Sequence, residues 1–178
     1  VGRLPERPDF SALAPILCAG VTTYKGIKET EARPGEWIVI SGGGGLGHVA
    51  IQYARAMGLH VAAVDVTSEK LALARALGAE IAVNGQMPSV VDEVLKATGG
   101  GAHGVLVTAV SVPAFGQALR MVRRKGTVSL VGLPPGWLQA SFACGCGSTI
   151  GLLAAAMSEV MFSCWITAMR LPASGTSF

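Results

Sequence analysis

The residues best suited to chemistry in this sequence form a glycine-rich turn. The run Gly42-Gly-Gly-Gly-Gly-Leu-Gly47 satisfies the pattern G-x-G-x-x-G through Gly42, Gly44 and Gly47. Between a strand and a helix, these glycines would permit a tight turn, a close approach of the backbone to a pyrophosphate, and close packing of the helix on the strand. The helix N-terminus would then favour the anion. The pattern predicts a phosphate-binding loop; the alternative is a flexible glycine loop.

An acidic residue stands at the end of the next apolar run. Asp65 follows Gly47 by eighteen residues, close to the ~20-residue spacing at which a carboxylate meets the adenosine ribose of a dinucleotide. Such a carboxylate accepts hydrogen bonds from both ribose hydroxyls, whereas a 2′-phosphate would bring like charges together. Asp65 therefore favours NAD over NADP; the alternative is a solvated aspartate in a turn.

The remaining chemically versatile side chains form no recognisable set of nucleophile, base and orienting group. Cys18 alone is more often a buried apolar residue than a metal ligand, and a zinc site needs three or four protein ligands. A metal site at Cys144 and Cys146 is a weak hypothesis, because no second ligand pair accompanies them. The three histidines are widely separated and are explained by positions at a helix start, a strand start and a loop: His48, His60 and His103.

The glycine turn and Asp65 belong to an alternation of apolar runs and helical periodicities. This alternation predicts an α/β fold of the Rossmann type, a doubly wound parallel sheet with helices on both faces. Ser68 is the predicted cap of its helix and Gly78 its end. The predicted strands are 37–41, 60–65, 80–83, 104–108 and 127–131. The predicted helices are 11–31, 48–57, 68–77, 89–97 and 113–123.

Composition limits the classes of protein that remain. With 178 residues, 51% of them apolar and 14% charged, the chain suits one domain whose strands are covered on both faces. The net charge of +3 is scattered, which argues against a nucleic-acid partner. The four cysteines do not form the dense framework of a secreted domain, so we expect a cytoplasmic location. The start has no apolar signal core and lacks Met, as in a fragment.

The composition of the sequence changes at Trp137. The apolar stretch 151–169 approaches the ~20 residues that span a bilayer, but Glu159 would lie near the middle at a cost of about 2.5 to 3.5 kcal/mol. We expect no membrane association, and interpret residues 137–178 as an atypical tail, either a packed helix or an unnatural sequence.

Three ordered segments resemble the bacterial zinc-dependent alcohol dehydrogenases of the medium-chain dehydrogenase/reductase family. These are Leu17-Cys-Ala-Gly-Val-Thr-Thr-Tyr-Lys-Gly26, the run from Trp37 to Met57 with its Gly-Gly-Leu-Gly-His48, and Val131-Gly-Leu-Pro-Pro135. The likeness runs from about Pro5 to Gly136. It implies NAD and zinc as cofactors, a small alcohol or aldehyde as substrate, and a homo-oligomeric full-length parent.

The resemblance also assigns roles by position. Cys18 matches one ligand of the catalytic zinc, which in the family acts as a Lewis acid on the alcohol oxygen and lowers its pKa, so that hydride passes to NAD. The cofactor-binding matches follow the order of the chain. They are Thr22 and Leu46 beside the nicotinamide, Gly42, Gly44, Gly45 and Gly47 at the pyrophosphate, Asp65 and Lys70 at the adenosine ribose, Ala109 and Val110 along the cleft with Val110 near the adenine, and Val131 and Leu133 at the carboxamide.

Departures from the family divide the chain into three predicted parts. Residues 1–34 are expected to be a linker helix leading in from an absent catalytic domain, 35–136 the truncated NAD-binding Rossmann domain, and 137–178 the atypical tail, which a frame shift would explain. The family's other zinc ligands and its proton relay lie upstream of this sequence. Two alternatives therefore stay open: a non-catalytic NAD-binding fragment, and a zinc-free NAD(P)H quinone reductase relative, against which Cys18 and Asp65 both argue.

Overall fold

Strands and helices alternate along most of the chain. The computed structural model describes residues 6–7 and 9–132, together with the backbone of three later strands. The first five strands are β1 Trp37–Ser41, β2 His60–Asp65, β3 Ile81–Asn84, β4 Ala102–Val107 and β5 Val122–Leu130. The helices are α1 Phe10–Pro15, α2 Val21–Glu29, α3 Gly47–Ala56, α4 Ser68–Ala76, α5 Val90–Ala97 and α6 Val112–Met121, with a π-helix at Ile16–Gly20 between α1 and α2.

The five strands form one parallel sheet in the order β3-β2-β1-β4-β5. The chain therefore starts in the middle, winds outward to β3, and then crosses back to β4 on the other side of β1. This is the strand order of a doubly wound Rossmann sheet, with its reversal point between β1 and β4. The predicted fold class is confirmed.

Three further strands lie beyond residue 136. They are β6 Leu138–Ser141, β7 Thr149–Leu152 and β8 Thr167–Arg170. The backbone of β8 pairs antiparallel with β5 at the edge of the main sheet, while β6 and β7 pair with each other. Most of the stretch 151–169 lies outside the described residues, as do Cys144 and Cys146. The division at residues 34 and 136 stays a prediction.

Both faces of the sheet are buried, as the apolar composition predicted. Along β1, Ile38 and Ile40 belong to the cluster beneath α2, α3 and α4, whereas Val39 belongs to the opposite cluster beneath α5 and α6. All three side chains are at most 1% exposed. This alternation is the period of two that a strand imposes on a sheet covered on both sides.

The segment predicted as one helix, 11–31, is helical but not uniform. Asp9 caps α1, its carboxylate accepting a hydrogen bond from the Ser11 amide at 2.9 Å. Pro15 stands inside α1, and the π-helix follows at once, since proline lacks the amide that an α-helical ladder needs. By length and composition alone, Phe10–Glu29 could cross a membrane, with a mean hydropathy of 1.2. Length and composition alone are weak evidence for a membrane span; 22% of this stretch is buried, and Ile27 of α2 belongs to the core cluster beneath the sheet.

Several element boundaries differ from the predictions, most of them by one or two residues, and the starts of α4 and β5 are the most instructive. The N-cap of α4 is Thr67, in extended backbone, and Ser68 is the first helical residue. The strand predicted at 127–131 begins at Val122. Residues 123–125 are charged and exposed, so they give no apolar signal, and the prediction missed the start of the strand. A β-bulge between Ala102 and Gly104 accommodates the longer pairing of β4 with β5.

Candidate functional site

A cleft of about 750 Å³ opens at the carboxyl ends of the strands. Its walls come from the carboxyl ends of β1 and β2, from residues that follow the first four strands, from α3, α4 and α6, and from the end of α1 with the π-helix. It therefore lies at the reversal point of the sheet, where the chain leaves β1 on one side and β4 on the other. In open α/β sheets this crevice is the place where ligands bind.

The glycine turn forms the floor of this cleft. Gly42 has a φ of +104°, and a Cβ there would come within 2.7 Å of the Ala109 amide nitrogen. A Cβ on Gly47 would lie 1.8 Å from the carbonyl oxygen of Gly42, so the turn closes only without side chains at these two positions. Gly44 and Gly45, by contrast, have nothing within 4 Å of a built Cβ. Their backbone is bare toward the cleft, as a bulky anionic group would require.

Thr108 braces this turn from the neighbouring strand. Its hydroxyl donates to the Gly42 carbonyl at 2.9 Å, and its amide donates to the Ser41 carbonyl at 2.9 Å. The sequence pattern predicts Thr108 only as a strand residue. Its position directly after β4, across the reversal point from the glycines, is the signal that could have identified it.

Asp65 is joined to the glycine turn by a short hydrogen bond. Its Oδ2 accepts the Gly43 amide at 2.6 Å, its Oδ1 accepts the Thr67 amide at 2.9 Å, and the Lys70 ammonium lies 3.9 Å from Oδ1. The side chain is only 8% exposed. Burial acts to raise the pKa of Asp65, but the two amides and Lys70 together outweigh it and lower the pKa. The cleft therefore holds a fixed negative charge at neutral pH.

Eight of the predicted cofactor-binding residues line this one cleft. They are Gly42, Gly44, Gly45, Leu46, Asp65, Lys70, Ala109 and Val110. Gly47 lies directly beneath the turn, where it contacts Gly42. Thr22 is buried in α2 and Val131 follows β5, and neither is among the lining residues. Leu133 lies outside the described residues.

Several lining residues were not predicted as part of a site. His48, interpreted from the sequence as a helix-start residue, lines the cleft as the second residue of α3. Gln117 of α6 also lines it and donates to the Gly85 carbonyl at 2.8 Å. Both lie on helices whose apolar periodicity predicts which face is buried but not which residues bind a ligand. The fold brings them to the cleft.

The described residues contain no group of three or more His, Cys, Asp or Glu side chains arranged to hold a metal ion. Cys18, the predicted zinc ligand, is exposed on the π-helix. One cysteine does not make a zinc site, so these residues do not by themselves fit a catalytic zinc.

Comparison with known proteins identifies a family. Residues 45–164 match the family described as zinc-binding dehydrogenase. An alcohol dehydrogenase of Rhizobium meliloti (strain 1021) is 62% identical over 136 residues, which are 76% of this chain and 40% of that protein. The chain thus spans about two fifths of the length of this relative. The family match continues past Gly136 into the segment predicted to be a tail.

Solved structures agree with this likeness. The alcohol dehydrogenase of the archaeon Aeropyrum pernix is 32% identical with a TM-score of 0.69, covering 78% of this chain and 42% of that one. A quinone oxidoreductase of Pseudomonas syringae pv. Tomato DC3000 is 28% identical with a TM-score of 0.67, covering 74% of this chain and 41% of that one.

Proposed function

The chain belongs to the family of zinc-binding dehydrogenases, and we propose that it is the cofactor domain of an alcohol dehydrogenase that transfers hydride between a primary or secondary alcohol and NAD. The observation that carries the proposal is the joint presence of a bare glycine turn and a buried, ionised Asp65 in one cleft. The turn suits a pyrophosphate, and the carboxylate suits a ribose with two free hydroxyls.

The cleft has room and chemistry for the rest of a dinucleotide. Gly44 and Gly45 would hold the pyrophosphate through backbone amides, with the N-terminal end of α3 behind them. Asp65 and Lys70 would hold the adenosine ribose, and Val110, which is 61% exposed, would cover the adenine. Leu46 and Thr22 would lie by the nicotinamide, with Val131 and Leu133 at its carboxamide. When bound, NAD supplies the hydride acceptor.

Cys18 would be one ligand of a catalytic zinc. The other ligands and the proton relay would come from the part of the relatives' length that this sequence does not span. The same holds for most of the substrate pocket and for a homo-oligomeric assembly in the cytoplasm. The residues of this sequence would then bind NAD without supplying the other groups that turnover needs.

The likeness to a quinone oxidoreductase favours one other candidate, a zinc-free reductase that uses NADPH. The two candidates differ at the adenosine ribose. A 2′-phosphate placed beside Asp65 would meet a carboxylate that is ionised at neutral pH and already oriented by two backbone amides. This contact disfavours NADPH.

Replacement of Asp65 tests the proposal. Asp65→Ser removes the carboxylate, so the affinity ratio of NADH to NADPH should fall by about tenfold or more. The variant also loses the acceptor for the Gly43 amide, but that loss affects both cofactors equally and cancels in the ratio. Glu69→Ser removes the same charge from an exposed residue of α4 and should leave the ratio unchanged. An unaltered ratio in Asp65→Ser would remove Asp65 from the ribose site.

A further inference from the structure

We propose that His48 is the side chain that binds the pyrophosphate, and that its protonation makes dinucleotide binding tighter at mildly acidic pH. This inference rests on the proposed function, because it adds a residue to the same cleft. A pyrophosphate diester carries two negative charges, whereas the partial charge of a helix N-terminus amounts to about half a positive one.

Few side chains are available to balance those charges. Among the described residues that line the cleft, the titratable ones are His48, Asp65 and Lys70. The Lys70 ammonium faces Asp65 across 3.9 Å, so this pair belongs together at the ribose end. Asp65 is itself negative and opposes an anion. His48 is left as the lining side chain that can present a positive charge to the phosphates.

The position of His48 suits this role. It is the second residue of α3, directly after the glycine turn, and its imidazole is partly exposed to the cleft. Its Nδ1 lies 3.1 Å from the Gly44 carbonyl oxygen. A carbonyl oxygen only accepts, so Nδ1 must carry the proton and donate it. The imidazole is thereby attached to the residue whose bare backbone would face the pyrophosphate.

The other ring nitrogen decides the effect of pH. Within the described part of the chain, the hydrogen bond found for this ring involves Nδ1 alone. In the neutral ring with a proton on Nδ1, Nε2 can only accept a hydrogen bond, and an ionised phosphate oxygen has no proton to donate to it. On protonation, Nε2 becomes a donor and the ring gains a full charge. Phosphate binding and proton uptake by His48 should therefore favour each other.

Other groups around the first turn of α3 do not supply the same effect. Asp65 has a lowered pKa and stays ionised through neutral and mildly acidic pH. The neighbouring π-helix contributes Cys18, whose side chain is exposed and does not line the cleft. From α2, Tyr24 packs on Tyr53 farther along α3.

Calorimetric titration of the full 178-residue chain with ADP-ribose, at about pH 6 and about pH 8, tests the inference. The pyrophosphate of ADP-ribose is a diester, so the ligand keeps its charge over this range, and adenosine serves as the phosphate-free comparison. The wild type should bind ADP-ribose about three- to tenfold more tightly at the lower pH, and adenosine equally at both. Far-UV circular dichroism checks the fold at each pH.

Two variants give the decisive comparison. His48→Gln stays neutral while keeping a side-chain donor for the Gly44 carbonyl, and it should bind ADP-ribose with the same affinity at both pH values. His60→Gln changes a histidine that pairs with Glu80 outside the cleft and should keep the wild-type pH dependence. An unchanged pH dependence in His48→Gln would overturn the inference while leaving the proposed function intact. If neither ADP-ribose nor NADH bound to the wild type, both would fall.

Discussion

Gly44 and Gly47 belong to one motif, but the structure gives them different tasks. A Cβ on Gly47 would collide with the Gly42 carbonyl, which is backbone and cannot turn aside, whereas a Cβ on Gly44 would point into open space. Gly47 is therefore needed for the turn to close against α3. Gly44 is needed only where a ligand approaches.

Substitutions at these two glycines should separate stability from binding. Gly47→Ala should lower the free energy of unfolding by at least about 2 kcal/mol, because the backbone of the turn must shift. Gly44→Val should change stability by less than about 1 kcal/mol but weaken NADH binding at least about tenfold, because its side chain would occupy the anion's place. Urea unfolding and calorimetric titration measure the two effects. Equal losses of stability in both variants would contradict this division.

Sequence spacing was sufficient to predict that Asp65 lies beside the glycine turn, and the structure confirms that it lines the same cleft; its contact with the ribose stays a prediction. The hydrogen bond from the Gly43 amide to Asp65 could not be predicted the same way. It depends on the parallel pairing of β1 with β2, which brings the ends of both strands side by side. Spacing along the chain predicts a residue's chemistry, whereas its partners across the sheet come from the register of the strands.

His103 ties two central strands together at the amino end of the sheet, opposite the cleft. Its Nδ1 accepts the Trp37 amide of β1 at 3.2 Å, and its Nε2 lies against the Arg123 guanidinium of β5. Burial lowers the pKa of His103; the nearby Glu36 carboxylate opposes this and Arg123 adds to it. The folded protein therefore keeps this ring neutral at a pH where the unfolded chain would protonate it.

This linkage predicts a loss of stability in mild acid. A histidine whose pKa is lowered on folding takes up a proton more readily in the unfolded state, so stability falls as the pH drops below the ordinary value of 6.5. His103→Gln keeps an acceptor for the Trp37 amide but does not titrate. From about pH 7 to about pH 5, its free energy of unfolding should therefore decline less than that of the wild type. The difference between the two declines should be at most about 1.4 kcal/mol per pH unit, the slope for one proton. Urea unfolding at both pH values measures this, and parallel declines would refute it.

The helices and strands with clear apolar periodicity were predicted well, and those with mixed character were not. Three charged and exposed residues follow Val122 near the start of β5, namely Arg123, Arg124 and Lys125, so the first half of this strand gives no apolar pattern. The π-helix after Pro15 likewise has no signature in the sequence beyond the proline itself. The backbone path of β5 is set by its pairing with β4, which the local sequence does not encode.

For the whole molecule, apolar composition and alternation were enough to predict a parallel sheet covered on both faces. They could not reveal which side chains outside the motif would converge, because His48, Thr108 and Gln117 are separated by up to 69 residues in the chain and meet only at the reversal point of the sheet. The cleft is thus a property of the strand order β3-β2-β1-β4-β5, while the glycine turn and Asp65 supply its chemistry.

On the proposed function, this chain forms an NAD-selective cofactor cleft. Calorimetric titration of the purified 178-residue chain with NADH and with NADPH, with zinc content measured on the same sample, tests it most directly. We predict that NADH binds at least about tenfold more tightly than NADPH, and that the sample holds no stoichiometric zinc, since the described residues hold no group of ligands to accompany Cys18. Absence of NADH binding, or tighter binding of NADPH, would show that the cleft is not an NAD-selective site.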